Sequence, residues 1–329
     1  MALTSILWRD GVEVAHDFPL SELDQHLATE GELVWFDLSG ADRSMIEQLA
    51  SEIGLDPLAV EDAVSRGERP KVTRHQHHIF VMVTGARLET EAEGFESRVV
   101  PEPVAAFVLP RCLVTVRHTN EFDMGPVVER WRDHADLLQF GPSALLYGLL
   151  DAVVDGHFET VGSLDDSLEV LEDALFENSS ARAGVQRRSF QLRKELVQFR
   201  RVVLPLREVV SELRRPAENG NSRTPLASYY DDLYDHVLRV TEWTESLRDM
   251  LATIFETNLS LQDAALNTVM KKLAGWAAVI AVPTAVTGWF GQNIPYPGFA
   301  HVGGLWQSVV AILVGTLGLY FFFKARDWI

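Results

Sequence analysis

Three sets of side chains in this sequence have the type and spacing to do chemistry. The first closes a long apolar run, Trp289-Phe290-Gly291-Gln292-Asn293, followed by Ile294-Pro295-Tyr296-Pro297-Gly298. A neutral carboxamide at such a helix end, repeated in a symmetric ring at the outer face of a membrane, would present several Asn oxygens to a central hydrated cation. Mg²⁺ gives up water reluctantly, so a ring that touches its hydration shell suits it better than a tight carboxylate cage. Taken alone, Gly-x-Asn is also how many helices end and turns open. Upstream, Asn267, Met270, Leu273, Ala277, Ala281 and Thr284 lie close to one stripe with Asn293, small or neutral along its length and polar at its ends. The same small residues would let neighbouring helices approach closely. Pro283 frees the carbonyl of Val279, which is tolerable where helices pack or line water.

The second set is His75, His77 and His78, of which His75 and His77 would share one face if the segment is a strand. Two imidazoles there could hold a transition metal; an exposed sheet edge is the alternative. The third is Asp231-Asp232, which by itself reads as a solvated helix face. His301, between the apolar runs, reads more readily as an interfacial polar residue than as a ligand.

The elements that must position these groups follow from charge and periodicity. Leu273 to Phe290 and Val302 to Phe323 contain no charged residue, and each run is near the ~20 residues that cross a bilayer. Lys271 and Lys272 precede the first run and Lys324 and Arg326 follow the second, while Gln292 to Leu305 has neither Lys nor Arg. Both termini are therefore expected in the cytoplasm, with Trp289, Tyr296, Trp306 and Trp328 at the interfaces. The N-terminal residues show no basic start followed by an apolar run, so no signal peptide is expected.

Before the spans, strand-like runs (Leu33 to Leu38, His78 to Val83, Val104 to Leu109, Leu113 to Val116) alternate with helical ones (Ser44 to Ile53, Leu58 to Val64, Val127 to Leu138). This is the pattern of a compact α/β domain. After Gly141-Pro142 long helices are expected, one to about Asn178 and another from about Arg182 to Arg214, with a possible interruption at Pro205. A polar break carries Pro216, Asn219, Gly220, Asn221 and Pro225, and no Pro or Gly then occurs until Gly275. From Leu226 and Tyr230 through Leu247 and Leu251 to Ala265 and Thr268, apolar or small residues recur at alternating steps of three and four. That heptad seam predicts one continuous helix from about Pro225 through the first span, on the order of 100 Å at 1.5 Å per residue. A rod of this length needs partners, so an oligomer is expected.

The expected division is a cytoplasmic α/β domain (1–141), a helical hairpin region (142–224), a stalk helix (225–272), a first transmembrane helix (273–291), an external loop (292–304), a second transmembrane helix (305–323) and a cytoplasmic tail (324–329). With 329 residues the chain can build a sizeable core without disulfides, and its single Cys112 can form neither an intrachain disulfide nor a Cys-based zinc site. A net charge of −18 argues against nucleic acid, which needs clustered Lys and Arg, and favours cations as partners. No phosphate loop, dinucleotide fingerprint, nucleophile elbow or His-Glu-x-x-His motif is present, so an enzyme is the least supported class.

The order of several segments resembles the CorA-type family of divalent cation transporters over most of the chain. Leu266-Asn267-Thr268-Val269-Met270-Lys271-Lys272-Leu273, leading to Pro283, Gly291 and Asn293, looks like the family's pore helix and its Gly-Met-Asn signature. Asp56-Pro57-Leu58-Ala59-Val60-Glu61-Asp62 with Arg69-Pro70-Lys71-Val72, Leu204-Pro205-Leu206-Arg207-Glu208-Val209, Tyr230-Asp231-Asp232-Leu233-Tyr234-Asp235-His236 and Lys324-Ala325-Arg326-Asp327-Trp328-Ile329 look like further family segments. The resemblance implies an α+β cytoplasmic domain followed by long helices and two C-terminal transmembrane helices, assembled as a funnel-shaped homopentamer among membrane lipids in the cell (inner) membrane. It implies passive Mg²⁺, Co²⁺ or Ni²⁺ influx driven by membrane potential, the divalent cation being substrate and regulator, with no cofactor.

By position, Asn293 with Gly291 and Gln292 would form the outer selectivity ring, Thr284 a mid-pore polar ring, and Met270 with Leu273 the cytoplasmic constriction, with Asn267 just inside it. Divalent ions between adjacent cytoplasmic domains would hold the pore shut, with Asp62 and Asp232 as the matching pair and Glu61 and Asp231 as neighbours able to substitute. Gln292 stands where the signature has Met, and the loop after Asn293 has no Asp or Glu. A ZntB-like branch, associated with zinc, also varies the central residue, so a Zn²⁺ transporter is one alternative. A non-conducting membrane-anchored scaffold or sensor is another.

Overall fold

A computed structural model describes residues 2–40, 43–65, 67–90, 97–119, 121–176, 179–215, 226–292, 294–299 and 301–329. The chain divides into two compact units, Met1–Thr253 and Ile254–Ile329.

The first unit is built on one seven-stranded sheet. Its strands are β1 (Ala2–Arg9), β2 (Val12–His16), β3 (Glu32–Ser39), β4 (Lys71–Arg74), β5 (Ile79–Thr90), β6 (Ser97–Val108) and β7 (Cys112–Arg117), in the order β2-β1-β3-β7-β6-β5-β4. Among the described residues only β3 and β7 pair in parallel, Val34 opposite Cys112 and Ser39 opposite Arg117; the other pairings are antiparallel. Every residue of β3 and β7 is buried, which requires cover on both faces. The two-residue period sorts the side chains accordingly. Leu33, Trp35, Val81, Val83, Val104, Ala106 and Leu113 enter one core, whereas Val34, Phe36, Phe80, Met82, Ala105, Phe107 and Val114 enter the other.

Over the second of these cores lie α1 (Leu23–Ala28), α2 (Arg43–Ile53) and α3 (Pro57–Val64), through Leu23, Ile46, Leu49, Ala59, Val60 and Ala63. The helix α3 starts where the sequence signals it. Pro57 occupies its first turn and the Asp56 side chain caps it by accepting from the Leu58 amide at 2.9 Å. Over the first core lie α4 (Gly125–Asp133), α5 (Pro142–Phe176), α6 (Ser179–Arg214) and the beginning of α7 (Ala227–Phe290).

The expected helix over Val127 to Leu138 is two pieces, α4 and a 3₁₀ stretch from Ala135 to Phe140. His134 leaves the helical region between them, and the tighter winding brings Leu137 and Leu138 into the same core as Trp131. The Trp131 indole donates to the Leu145 carbonyl at 3.0 Å, and Gly148 leaves the space it fills: a Cβ there would stand 2.5 Å from the indole nitrogen. Pro205 does not interrupt α6. Its lost hydrogen bond costs up to about 3 kcal/mol, but Val203, Leu206, Val209 and Val210 around it are fully buried, and that packing holds the helix together.

The second unit contains the remainder of α7 and α8 (Val302–Lys324). One uninterrupted helix does run from Ala227 to Phe290, through Pro283. The polar break at Pro216 to Pro225 lies outside the described residues.

Candidate ion pathway and acidic groups

On α7 from Gly275 onward, one face is covered and the opposite one is not. Gly275 and Val279 are buried and Val282 and Val286 partly so, and at ~100° per residue these four share one side. That side meets α8. A Cβ at Gly315 would stand 2.8 Å from Val282 Cγ1, and the Trp276 and Tyr320 rings lie 6.3 Å apart, so a glycine on α8 permits the close approach. Leu273, Ala277, Ala281, Thr284 and Gly291 are all exposed and fall within roughly 80° of one another on the other side. Met270 and Asn267 continue the exposed surface toward the N-terminal end.

The Thr284 hydroxyl donates to the Ile280 carbonyl at 3.3 Å, and Thr287 donates to the Thr284 carbonyl at 3.1 Å. Both satisfy the hydroxyl on its own helix and leave an oxygen lone pair outward. The helix closes with the Gly291 amide on the Thr287 carbonyl (2.8 Å) and the Gln292 amide on the Trp289 carbonyl (3.2 Å). Asn293 lies outside the described residues. In the loop, Tyr296 sits edge-on between Phe290 (5.0 Å) and Phe299 (5.5 Å). His301 occupies the N-cap position of α8 without a side-chain capping bond. Both helices are long and apolar enough to cross a bilayer, and Leu273, Ile280, Val314 and Phe321 show well over half their surface.

The four acids of the expected regulatory pairing have separate surroundings within the chain. Asp62, on α3, receives Lys71 Nζ at 2.8 Å, and the same ammonium holds Glu68 at 3.2 Å. Glu61 lines a groove of about 400 Å³ between α2 and α3 together with Arg43 and Glu47. Asp231, near the start of α7, is bound by Arg214 at 2.6 Å. Asp232 is largely exposed, with His236 Nε2 3.8 Å away. Among the described residues no group of three or more His, Cys, Asp or Glu is placed to hold a metal ion.

Sequence reasoning passes over Asp151 on α5, which burial holds above the usual carboxylate range against the pull of Arg130, whose Nε lies 3.0 Å from it. Asp232 and His236 act on its titration as well, so this acid belongs to the electrostatic neighbourhood of Asp232. No local signal marks it, because the two residues lie far apart in sequence and meet only when α5 packs on α7.

The histidine set is not a strand face. His75 to His78 form the turn between β4 and β5, closed by the His75 amide on the His78 carbonyl at 2.9 Å. His75 stacks on His78 with ring centres 4.7 Å apart and pairs through Nδ1 with Asp56 Oδ2 at 3.3 Å. Burial first, then the charge of His75, lowers the pKa of His78. The strand starts one residue later than expected, so alternation does not apply to His75 and His77.

A long helix with a one-sided exposed stripe, a second apolar helix and a mixed sheet ahead of both narrow the possibilities to a few families. The family described as CorA-like Mg²⁺ transporter protein matches residues 30–325. The chain belongs to this family. Its relatives include the cobalt/magnesium transport protein CorA of Thermotoga maritima, 28% identical over 300 residues that cover 90% of this chain and 83% of the relative. The zinc transport protein ZntB of Yersinia enterocolitica is 25% identical over 285 residues, 85% of this chain and 82% of that protein. The fold matches the complete structure of the CorA magnesium transporter from Methanocaldococcus jannaschii, with a TM-score of 0.74 at 20% identity over 100% of this chain and 99% of that one. Full-length CmaX follows at 0.69 and 18% identity, covering 99% and 97%. The CorA architecture of an α+β domain, a long helix and two C-terminal apolar helices is therefore the architecture of this chain, and CorA-family proteins are transporters of divalent cations.

Proposed function

We propose that this chain is a Mg²⁺ channel of the CorA type, also open to Co²⁺ or Ni²⁺, assembled as a homopentamer in the cell membrane with both termini in the cytoplasm. In this reading residues 1–224 form the cytoplasmic domain and its helical hairpin, 225–272 the stalk, 273–291 the pore-lining span, 292–304 the external loop, 305–323 the outer span and 324–329 a cytoplasmic tail. The carrying observation is the exposed stripe from Met270 to Gly291, which faces away from α8 and so is free to line a shared axis.

Leu273 and Met270 supply an apolar constriction, which passes ions only when wide enough to stay wet. Ala277 and Ala281 keep the bore open, Thr284 offers a ring of hydroxyl oxygens, and Gly291-Gln292-Asn293 forms the outer ring. Neutral oxygens contact the hydration shell and avoid trapping the ion. Inside-negative potential drives entry at about 2.3 kcal/mol per charge per 100 mV.

Gating resides in carboxylates shared between neighbouring copies. A divalent ion between Asp62 of one copy and Asp232 of the next, with Glu61 and Asp231 in support, holds the ring closed, and its loss leaves like charges that separate. Lys71 competes with that ion for Asp62.

The test is divalent uptake into liposomes reconstituted with the purified chain, comparing Mg²⁺, Co²⁺, Ni²⁺ and Zn²⁺ at fixed potential, with and without a proton gradient. Mg²⁺ flux that rises with inside-negative potential and ignores protons is the expected result. The likeness to ZntB and the Gln292 variant support a second reading, Zn²⁺ transport. Proton-coupled Zn²⁺ flux would establish it, and an absence of all flux would favour a membrane-anchored scaffold.

A further inference from the structure

The end of α8 does not run out into solvent. Asp327 adopts φ 55°, and the Trp328 amide donates back to the Phe323 carbonyl at 2.9 Å, a Schellman-type reversal. The Trp328 ring stacks on Phe323 with centres 5.5 Å apart and planes 17° from parallel. This reversal lays Ile329 against α7 at Gly275. A Cβ at Gly275 would stand 3.0 Å from Ile329 Cγ1 and 3.4 Å from the Trp328 carbonyl oxygen.

Gly275 is the one buried position among residues 259–278, so this contact, next to the Trp276–Tyr320 ring pair, helps to hold that stretch of α7. It lies two residues beyond Leu273 and on the side of the helix away from the exposed stripe.

We propose that residues 325–329 form an intramolecular latch, seated in the notch at Gly275, that keeps α7 in its closed position and releases when the constriction at Met270 and Leu273 widens. The proposal rests on the pore reading of α7. The latch is held weakly, as a switch must be. Its seat is a single aliphatic side chain in a glycine notch, and a small apolar contact of this kind opens locally at low cost. Its turn places a residue with a side chain in the left-handed region, which aspartate tolerates but does not favour. Lys271 and Lys272 precede the notch by one turn, and Lys324 and Arg326 stand at the tail, so the two segments that meet at the notch both carry cations, offset in part by Asp327. Lys324 over the Tyr320 ring (5.7 Å) and Arg326 over Phe322 (5.5 Å) keep two of these cations drawn along α8 while the latch is seated.

The test is to tie the latch shut. With a Cβ at 275 only 3.0 Å from Ile329 Cγ1, the paired substitution Gly275→Cys with Ile329→Cys brings two Cβ atoms within about 4.5 Å, inside disulfide reach. The native Cys112 is fully buried and does not compete. In Mg²⁺-loaded-bath liposome assays, oxidation is expected to cut uptake about tenfold, the equivalent of shifting a closed–open balance by one decade, and dithiothreitol is expected to restore it. Failure of the two thiols to join within one chain would overturn the contact, and a completed cross-link with unchanged uptake would overturn the latch. Ile329→Gly serves as the converse: it should raise uptake at an internal Mg²⁺ level that closes the parent protein, and an unaltered closing concentration also counts against the latch. A parent protein that carries no divalent ion at all would instead refute the pore reading on which the proposal stands.

Discussion

One helix, α7, passes through two different regimes. Up to Leu251 its seam is buried: Tyr230, Leu233, Val237, Val240, Thr244 and Leu247 sit at a few per cent exposure or less, and the first three belong to the core beneath the sheet. Beyond Asn258 almost nothing is buried, although the sequence becomes more apolar, with Leu266, Val269, Met270, Leu273 and Ile280 each showing about two thirds of their surface. A soluble monomer rarely leaves so long an apolar surface open. The first half of the helix is buried within one chain; the second half is covered within the chain along one side alone, and the proposed pore assembly would cover the rest. Substitutions in the two halves should accordingly be felt in different measurements.

The largest effect is expected away from both halves, in the sheet that anchors the first. Asp37 is buried between β3 and β7, where it accepts from the Thr115 hydroxyl (2.6 Å) and from Arg117 Nε (3.1 Å), while Trp35 donates to Thr115 at 3.0 Å. Asp37→Ala strands the Arg117 guanidinium and should cost about 3–5 kcal/mol, read as a drop in the urea midpoint of the first unit. A change below 1 kcal/mol would mean that Arg117 finds water there and that the network is not sealed.

Within α7, Leu233→Ala should cost about 3 kcal/mol by opening a cavity in a fully buried seam. Leu273→Ala should cost under about 0.5 kcal/mol in the same denaturation, yet alter divalent flux and its closing concentration. If both substitutions destabilised equally, the exposed stripe would have a partner within its own chain and the contrast would fail.

A pH scan sharpens the comparison from the side of α5. His157 is fully buried, its Nε2 at 2.9 Å from the Thr84 carbonyl, and burial pushes its pKa from 6.5 down to about 4. The unfolded chain therefore takes up a proton that the folded one refuses between about pH 6.5 and 4. Stability is complete above that window and falls as pH drops through it, by on the order of 3 kcal/mol. His157→Gln, which keeps a donor but does not titrate, should flatten the slope, whereas an unchanged slope would assign it to other groups.

The smallest expected effect is at the partly exposed pair Lys71 and Asp62. Lys71→Gln should change stability by less than about 1 kcal/mol but, on the proposed gating, make transport shut off at severalfold lower internal Mg²⁺, because Asp62 loses its competing ammonium. Closure at unchanged Mg²⁺ would separate Asp62 from gating.

Much of the fold was legible because it rests on periodicity. The charge-free runs and the breaker-free heptads identify α7 and α8, and the β-branched runs identify β3, β7, the first half of β5 and the second half of β6, where burial on both faces favours apolar residues in succession; the polar halves of β5 and β6, with Arg87, Glu89, Arg98 and Glu102, carry no such signal. The edge elements were not legible. β2 and β4 are short, partly polar strands whose existence depends on the neighbour that pairs with them, and β1 becomes a strand by lying antiparallel to β3. The helix break at His134 and the intact helix at Pro205 run against local propensity for the same reason: burial of Trp131, Leu137 and Leu138 in one case, and of Val203 and Leu206 in the other, outweighs it.

The amino-acid sequence by itself determined that this chain has two apolar helices, a continuous stalk and a closing Gly291-Gln292-Asn293, because hydropathy and helical period are properties of neighbours along the chain. Tertiary structure alone decided which side of α7 meets α8, that Asp151 joins the surroundings of Asp232, that His75 stacks on His78 in a turn, and that Ile329 seats on Gly275. Each of these depends on a distance between residues far apart in sequence or on a local turn, and such distances are set by packing, which no one-dimensional pattern encodes.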